Sequence, residues 1–489
     1  MTSQRRELAC NLLLILGLSV ATVTGPAGSA TAQVPVTELN RLLGKLPEPN
    51  AICSAAVVDL QTGRRVFGLN TDRPMIPASN VKLFALAAAV EVLGPDFQFR
   101  TVLATRGSDL VVIGDGDPSL GDPVSSKEDG REITAVIDEW AAVLKERGLS
   151  NVKGDLIIDE SIFDDRWVHP EWPAEDIRRR YAAPVGALNF NENCIEVTVW
   201  PARRAGQPVQ WSARPRTSLI DVKNRCKSGG RNRPTIDRPS PTFQYVLGGS
   251  CTKRSTLQSV PVPDPGLFFA DVLRLRLADQ GVTIAGRVRR ERVRDASEQL
   301  PADCEILAVH TTPLLRVAAR AGKDSQNLFA ECLLKRAGYE FAKTRGTADP
   351  IGSWETGRAS VQALMSRAGI DPDAVVISDG SGLSRANRAS VSDFVKLLAY
   401  MQRHRGWDVF GRSLSVAGRD GLLRKRMNGV PGLVCAKTGY MQGVRTLSGY
   451  VETPDGRLYC FSVLFNNIKK ATRPFSKIQD QFCRILASG

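Results

Sequence analysis

The chain has 489 residues, 43% hydrophobic and 24% charged, the composition of a globular protein with room for two or three domains and a full-sized core. Its 65 Lys and Arg outnumber 51 Asp and Glu, giving a net charge of +14, which suits polyanionic surroundings such as an envelope surface. The basic residues are scattered. Even the densest stretches (178–180, 223–233 and 287–294) lack interleaved aromatics and any nucleic-acid fold signature, which excludes nucleic-acid binding and predicts solvated basic faces.

The N-terminus reads as a secretory signal over residues 1–32. Arg5 and Arg6 precede an apolar run at 8–23, Gly25-Pro26 ends it, and Ala30-Thr31-Ala32 fits the small-residue cleavage rule, leaving Gln33 as the mature start. The run is short for a membrane span, so the expectation is an exported protein of the periplasm or cell envelope, with at most peripheral membrane association; an uncleaved anchor is the alternative. Export opens the way to disulfides. Of the ten cysteines, Cys226 and Cys251 flank a Gly-, Pro- and Arg-rich stretch and are expected to close a loop. Cys53, Cys332, Cys435, Cys460 and Cys483 lie in apolar runs and read as small buried hydrophobes. With no CxxC and only His169, His310 and His404, neither a metal site nor a cofactor is expected.

Leu39, Leu42, Leu43 and Leu46 predict a helix over 37–46. Residues 51–60 and 65–69 read as strands joined by Gln61-Thr62-Gly63. Pro77-Ala78-Ser79 opens a strongly apolar helix that Gly94-Pro95 stops. The character then changes: short strands at 101–104, 109–113 and 154–158 surround a helix at 133–147, and a Trp-, Pro- and charge-rich loop runs over 164–184. The strand at 194–200 begins a second change. Residues 268–280 read as a helix and 282–288 as a strand.

Near residue 300 the first style returns, with helices at 314–321, 326–337 and 390–403, strands at 433–437, 444–452 and 458–465, and a closing helix at 474–486. The pattern predicts an α/β (α+β) domain of residues 33–97 and 301–489. Residues 98–190 and 256–300 are expected to form an inserted β-rich domain, with 191–255 nested within it.

The chemistry starts at Ser79-Asn80-Val81-Lys82. Residues i and i+3 of a helix share a face, so the Lys82 amine reaches the Ser79 hydroxyl. Desolvation, with Lys437 as a second cation, would lower the pKa of Lys82 and make it a base. A helix N-terminus at Ser79 supplies N–H groups and a dipole for an oxyanion. Ser79, Asn80 and Lys82 are the polar residues of an otherwise apolar run, which calls for a polar cleft. Lys437-Thr438-Gly439 reads as a strand end at which cation and hydroxyl bind a carboxylate and the glycine admits a ligand backbone. Ser325 and Asn327, two residues apart at a helix start, suit proton relay and amide binding.

Other patterns weigh less. Asp115, Asp117 and Asp122 lack the glycine and bidentate Glu of a calcium loop and are read as a solvated turn. His310 and His404 could serve a serine triad in principle but read as structural or surface residues.

The order SxxK, SxN, KTG is more specific than any one member. With it, the chain resembles the class C low-molecular-mass penicillin-binding proteins, the D-alanyl-D-alanine carboxypeptidase/endopeptidase family. Residues 114–118 (GDGDP), 154–159, 181–193 (YAAPVGALNFNEN), 379–385 (DGSGLSR) and 439–450 extend the resemblance over essentially the whole mature chain. It implies a β-lactamase/DD-peptidase-like domain, an antiparallel sheet flanked by helices and interrupted by two inserted β-rich domains. It implies Ser79 as nucleophile, Lys82 as base, Ser325 and Asn327 as proton relay and substrate ligands, and Lys437 and Thr438 as carboxylate ligands. Gly439 and Tyr440 would adjoin the substrate, with the Ser79 and Tyr440 N–H groups as oxyanion hole. Trp172, Asp176, Tyr181 and Arg385 would lie near the peptide side chain. The partners implied are peptidoglycan peptides and β-lactam inhibitors, with no metal. The readings kept beside this one are a β-lactamase or esterase on the same scaffold and a silent cell-wall-binding protein. Tyr440 departs from the Ser or Thr that often follows KTG, which bears on carboxypeptidase against endopeptidase preference.

Overall fold

The computed structural model describes residues 34–295, 297–430 and 433–488. The segment 1–32, read from the sequence as a secretory signal, lies outside them. No helix among the described residues is long and apolar enough to cross a membrane.

A six-stranded antiparallel sheet knits the two ends of the chain together. Its order is Ser415–Val416, Val434–Met441, Val444–Glu452, Leu458–Asn466, Ile52–Asp59, Arg65–Leu69. Strand alternation sorts its side chains to two faces. Ala55, Val57, Leu447 and Val463 pack under the terminal helices Val36–Leu43 and Arg473–Ser488. Ala56, Tyr450, Cys460 and Leu464 pack against the larger helical layer. At the centre of that layer lies Lys82–Leu93, which is apolar on nearly every side and correspondingly buried from Lys82 through Val90. Helices Leu314–Lys323, Asn327–Thr344, Trp354–Arg367 and Val391–Gln402 share its core. Trp354–Arg367 escaped the sequence reading because Gly357 interrupts a weak apolar pattern. Ser353 starts it by accepting from the Thr356 N–H at 3.1 Å.

Between residues 98 and 313 the chain builds separate sheets over a second core. A five-stranded sheet has the order Val288–Arg290, Leu156–Asp159, Asp109–Ile113, Gln98–Arg106, Cys304–Pro313. The last of these carries the chain into helix Leu314–Lys323. Cys194–Trp200 leads a smaller group of strands with Gln210–Arg214, Ser255–Thr256 and Val260–Pro261.

Buried ion pairs join this region to the helical layer, and here the structure corrects the sequence reading. Asp115 and Asp122, expected in a solvated turn, are buried. Asp115 accepts from Arg336 Nε at 2.9 Å, and Asp122 takes a two-pronged contact from Arg320 at 2.8 and 2.9 Å. Distant arginines that sequence proximity does not reveal convert a polar turn into a sealed seam. Residues 287–294 are likewise no simple solvated face, because Arg289, Arg290 and Arg292 each meet a carboxylate and Arg294 is buried. Cys226 and Cys251 are both buried but are thiols, not a disulfide. The strand register pairs Cys251 with Ser228 instead of Cys226.

Candidate active site

The first motif is not wholly helical, as the spacing predicts. Ala78–Val81 forms a 3-10 turn, and the α-helix begins at Lys82. Ala78 takes a left-handed φ of 46°. The turn is bolted to the sheet: Thr446 Oγ1 donates to Pro77 O at 2.9 Å, and Asn80 Nδ2 donates to Ser448 Oγ at 2.6 Å. Two glycines allow neighbouring backbone to close on it. A Cβ at Gly439 would lie 2.0 Å from Thr446 Oγ1 and 3.0 Å from Pro77 O. One at Gly382, whose φ is +82°, would lie 2.0 Å from Ala78 O.

Lys82 is fully buried, and its Nζ donates to Ser79 Oγ at 3.2 Å, Asn327 Oδ1 at 2.7 Å and Ser381 O at 2.6 Å. Burial lowers its pKa to about 7, against the opposing pull of the Asp379 and Glu331 carboxylates. Desolvation, more than the expected charge of Lys437, is the chief cause. Ser79 itself stays partly exposed.

Lys437 is also fully buried and donates to Ser325 Oγ and Thr438 O, each at 2.8 Å. Burial, then the charge of Lys82, holds it well below the ordinary lysine range, with Asp324 opposing. KTG sits within a strand that continues to Met441, not at a strand end. Strand Ser415–Val416 pairs with Cys435 and Ala436, and among the described residues no strand covers that edge from Lys437 onward. Ser325 has a left-handed φ of 59° just ahead of helix Asn327–Thr344. Asn327 Nδ2 donates to Tyr181 O at 2.7 Å.

The remaining predicted residues divide. Tyr181 is exposed, and its hydroxyl donates to Asp176 Oδ1 at 2.5 Å. Arg385 is exposed and donates to Gln442 O at 3.1 Å, tying its loop to the turn beyond KTG. Tyr440 is 59% exposed, with the Arg445 guanidinium 4.3 Å from its ring centroid. Trp172 is buried: its indole N–H donates to Asp379 Oδ2 at 2.8 Å, and its ring meets Trp354 edge-on. It supports the 379–384 loop from behind.

Sequence reasoning missed Glu331 and the part played by Asp379 and Ser381. Glu331 lies four residues beyond Asn327 on the same helix, and Lys335 four further on. That stripe of polar residues on a buried helix was the available signal. The histidines are engaged elsewhere: His169 Nε2 with Ser378 O, His310 with Thr312 and His404 with Glu91.

A serine whose basic partner is a buried lysine, on an antiparallel sheet between helical layers, marks the β-lactamase and DD-peptidase class of active-serine acyl-transferases. Within that class the chain belongs to the D-Ala-D-Ala carboxypeptidase 3 (S13) family, whose model matches residues 36–488. It is a serine-type DD-peptidase. Among its relatives, a D-alanyl-D-alanine carboxypeptidase of Actinomadura sp. (strain R39) is 32% identical over 94% of this chain and 87% of its own. The D-alanyl-D-alanine carboxypeptidase DacB of Haemophilus influenzae is 24% identical over 89% and 88%. The crystal structure of penicillin binding protein 4 from Haemophilus influenzae shares the fold with a TM-score of 0.76 at 22% identity, covering 94% of this chain and all of that one. The same protein complexed with a β-lactam gives a TM-score of 0.72 at 21% identity, over 94% and 100%.

Proposed function

We propose that the chain cleaves D-alanyl-D-alanine bonds of peptidoglycan stem peptides through an acyl-enzyme on Ser79. Neutral Lys82 takes the Ser79 proton as Oγ attacks the carbonyl carbon between the two D-alanines. The backbone N–H groups of Ser79 and Tyr440 are assigned to the developing oxyanion. Ser325, hydrogen-bonded to Lys437, passes to the departing amine the proton that Lys82 took from Ser79, which returns Lys82 to its neutral form. Lys437 and Thr438 hold the terminal carboxylate, and Asn327 holds a substrate amide. The uncovered edge beyond Lys437 suits an extended peptide lying alongside the strand. Tyr181, Asp176 and Arg385 are assigned to the stem side chain. Water then releases the acyl group. β-Lactams would acylate the same serine. Such a substrate lies outside the cytoplasmic membrane, in keeping with the signal-like N-terminus.

The single observation that carries this reading is the convergence of Ser79, Asn327 and Ser381 O on the buried Lys82 amine. The test is labelling with a fluorescent penicillin. The parent is expected to label stably and Ser79→Ala not at all. An unlabelled parent, or a label lost within seconds, would reject the peptidase reading, the latter in favour of a β-lactamase.

A further inference from the structure

We propose that Glu331 is a positioning residue for the base Lys82, acting through the backbone of Gly380 and Ser381. Its Oε2 accepts from Gly380 N and from Trp354 Nε1, each at 2.9 Å, and its Oε1 accepts from Ser381 N at 2.8 Å. Ser381 O, on the residue so held, accepts from Lys82 Nζ at 2.6 Å. Asn327, one turn earlier on the same helix, supplies Asn327 Oδ1 at 2.7 Å. One helix therefore sets both acceptors that flank the amine, one directly and one through the loop.

The consequence is stereochemical. A neutral amine has two N–H bonds and one lone pair. With its hydrogens directed to Asn327 Oδ1 and Ser381 O, the lone pair is left facing Ser79 Oγ. The Ser79 O–H bond breaks toward that lone pair as Oγ bonds to the substrate carbonyl carbon. If Ser381 O drifts, the amine is free to turn its lone pair elsewhere. Asp379 steadies the far side of the same loop, accepting from Gly382 N and Ser384 N at 2.8 Å each.

Glu331 is fully buried, and burial, with the Asp379 charge, raises its carboxyl to about 7 against the N–H groups of Ser381, Trp354 and Gly380; in its ionised form it acts on Lys82 by charge as well. The charged or titratable groups facing it are Asp379, Lys82, Lys335 and Cys332. Those facing Lys82 are Asp379, Glu331 and Lys437. Removing the Glu331 charge leaves burial of Lys82 less opposed, which favours the neutral amine at lower pH.

The inference rests on Lys82 being the base, and the experiment separates the two. The second-order rate of acylation by a fluorescent penicillin is measured from pH 5 to 9 for the full chain, Lys82→Ala, Glu331→Gln and Trp354→Phe. Glu331→Gln keeps the size of the side chain but turns an N–H2 toward backbone N–H groups. Acylation at pH 7 is expected to fall roughly tenfold or more as the loop loosens, with the acid limb displaced to lower pH. A merely structural role would lower the rate and leave the limb in place, and that result, or a parental rate and limb, overturns the inference. Should Glu331→Gln fail to fold, Trp354→Phe removes one donor from the carboxylate and is expected to act in the same direction to a smaller extent; a parental profile there also overturns it. If Lys82→Ala acylates at the parental rate, the base assignment falls and this inference with it. If Lys82→Ala is silent while Glu331→Gln matches the parent, only the inference falls.

Discussion

Lys437 donates its amine to Ser325 Oγ at 2.8 Å, joining the KTG strand to a turn 112 residues earlier in the chain. The pair works as a unit: the lysine is fully buried, and the serine offers it an acceptor in a medium that poorly tolerates an unsatisfied amine.

Ser325→Ala and Lys437→Ala are each expected to slow acylation roughly a hundredfold or more, the scale of a lost proton-transfer group. Because each acts through the other, the double variant should be little worse than either single one. Acylation rates of the four proteins test this. Effects that multiply would show that the two residues act independently.

Acylation should depend on a neutral Lys82. Its pKa is lowered to about 7, so the proton-accepting form predominates above that pH and is lost below it. The rate is expected to rise through pH 7 and to fall as pH drops beneath it. Lys82→Arg, whose guanidinium stays protonated, should remain inactive across the whole range. A flat profile for the parent would contradict this account.

Gly439→Ala should damage both stability and activity. The added methyl would meet Thr446 Oγ1 at 2.0 Å and Pro77 O at 3.0 Å, forcing the strand away from the Ala78–Val81 turn. A loss of about 1–3 kcal/mol is expected in urea denaturation, the usual range for overpacking. Penicillin labelling should fall with it. Thr446→Ala in the same chain removes the nearest clash and should recover part of the stability.

Arg320 is buried among Asp122, Glu192 and Asp324. Arg320→Met leaves these carboxylates uncompensated and is expected to cost about 3–5 kcal/mol, as for other broken buried pairs. Arg320→Lys should not restore stability, because an ammonium lacks the two-pronged geometry that meets Asp122. Thermal or denaturant unfolding measures both.

Tyr440 bears on bond preference. Tyr440→Thr places a hydroxyl beside Thr438, where it would serve a free C-terminal carboxylate. Release of D-alanine from a stem pentapeptide is expected to rise relative to splitting of a cross-linked dimer. An unchanged ratio of the two products would remove Tyr440 from the choice.

The sequence by itself determined which motifs the chain carries and the style of the fold. Ser79 and Lys82 were legible because a local spacing puts them together. Ser325, Asn327 and Lys437 were legible because their motifs follow in a specific order. The strands at 444–452 and 458–465 were legible because alternation and the Pro454-Asp455-Gly456 turn mark them. Only the tertiary structure decided which distant groups share a dielectric environment. The fall in the Lys82 pKa comes from complete burial between helices and loop, and no local pattern records burial. Asp115 and Asp122 look like turn residues until Arg336 and Arg320 arrive from more than 190 residues away. Glu331 is one acid on an apolar helix until Gly380 and Ser381 reach it, 49 and 50 residues later, and pass its influence to Lys82. Local spacing specifies which groups are present, and long-range packing specifies which of them act on one another.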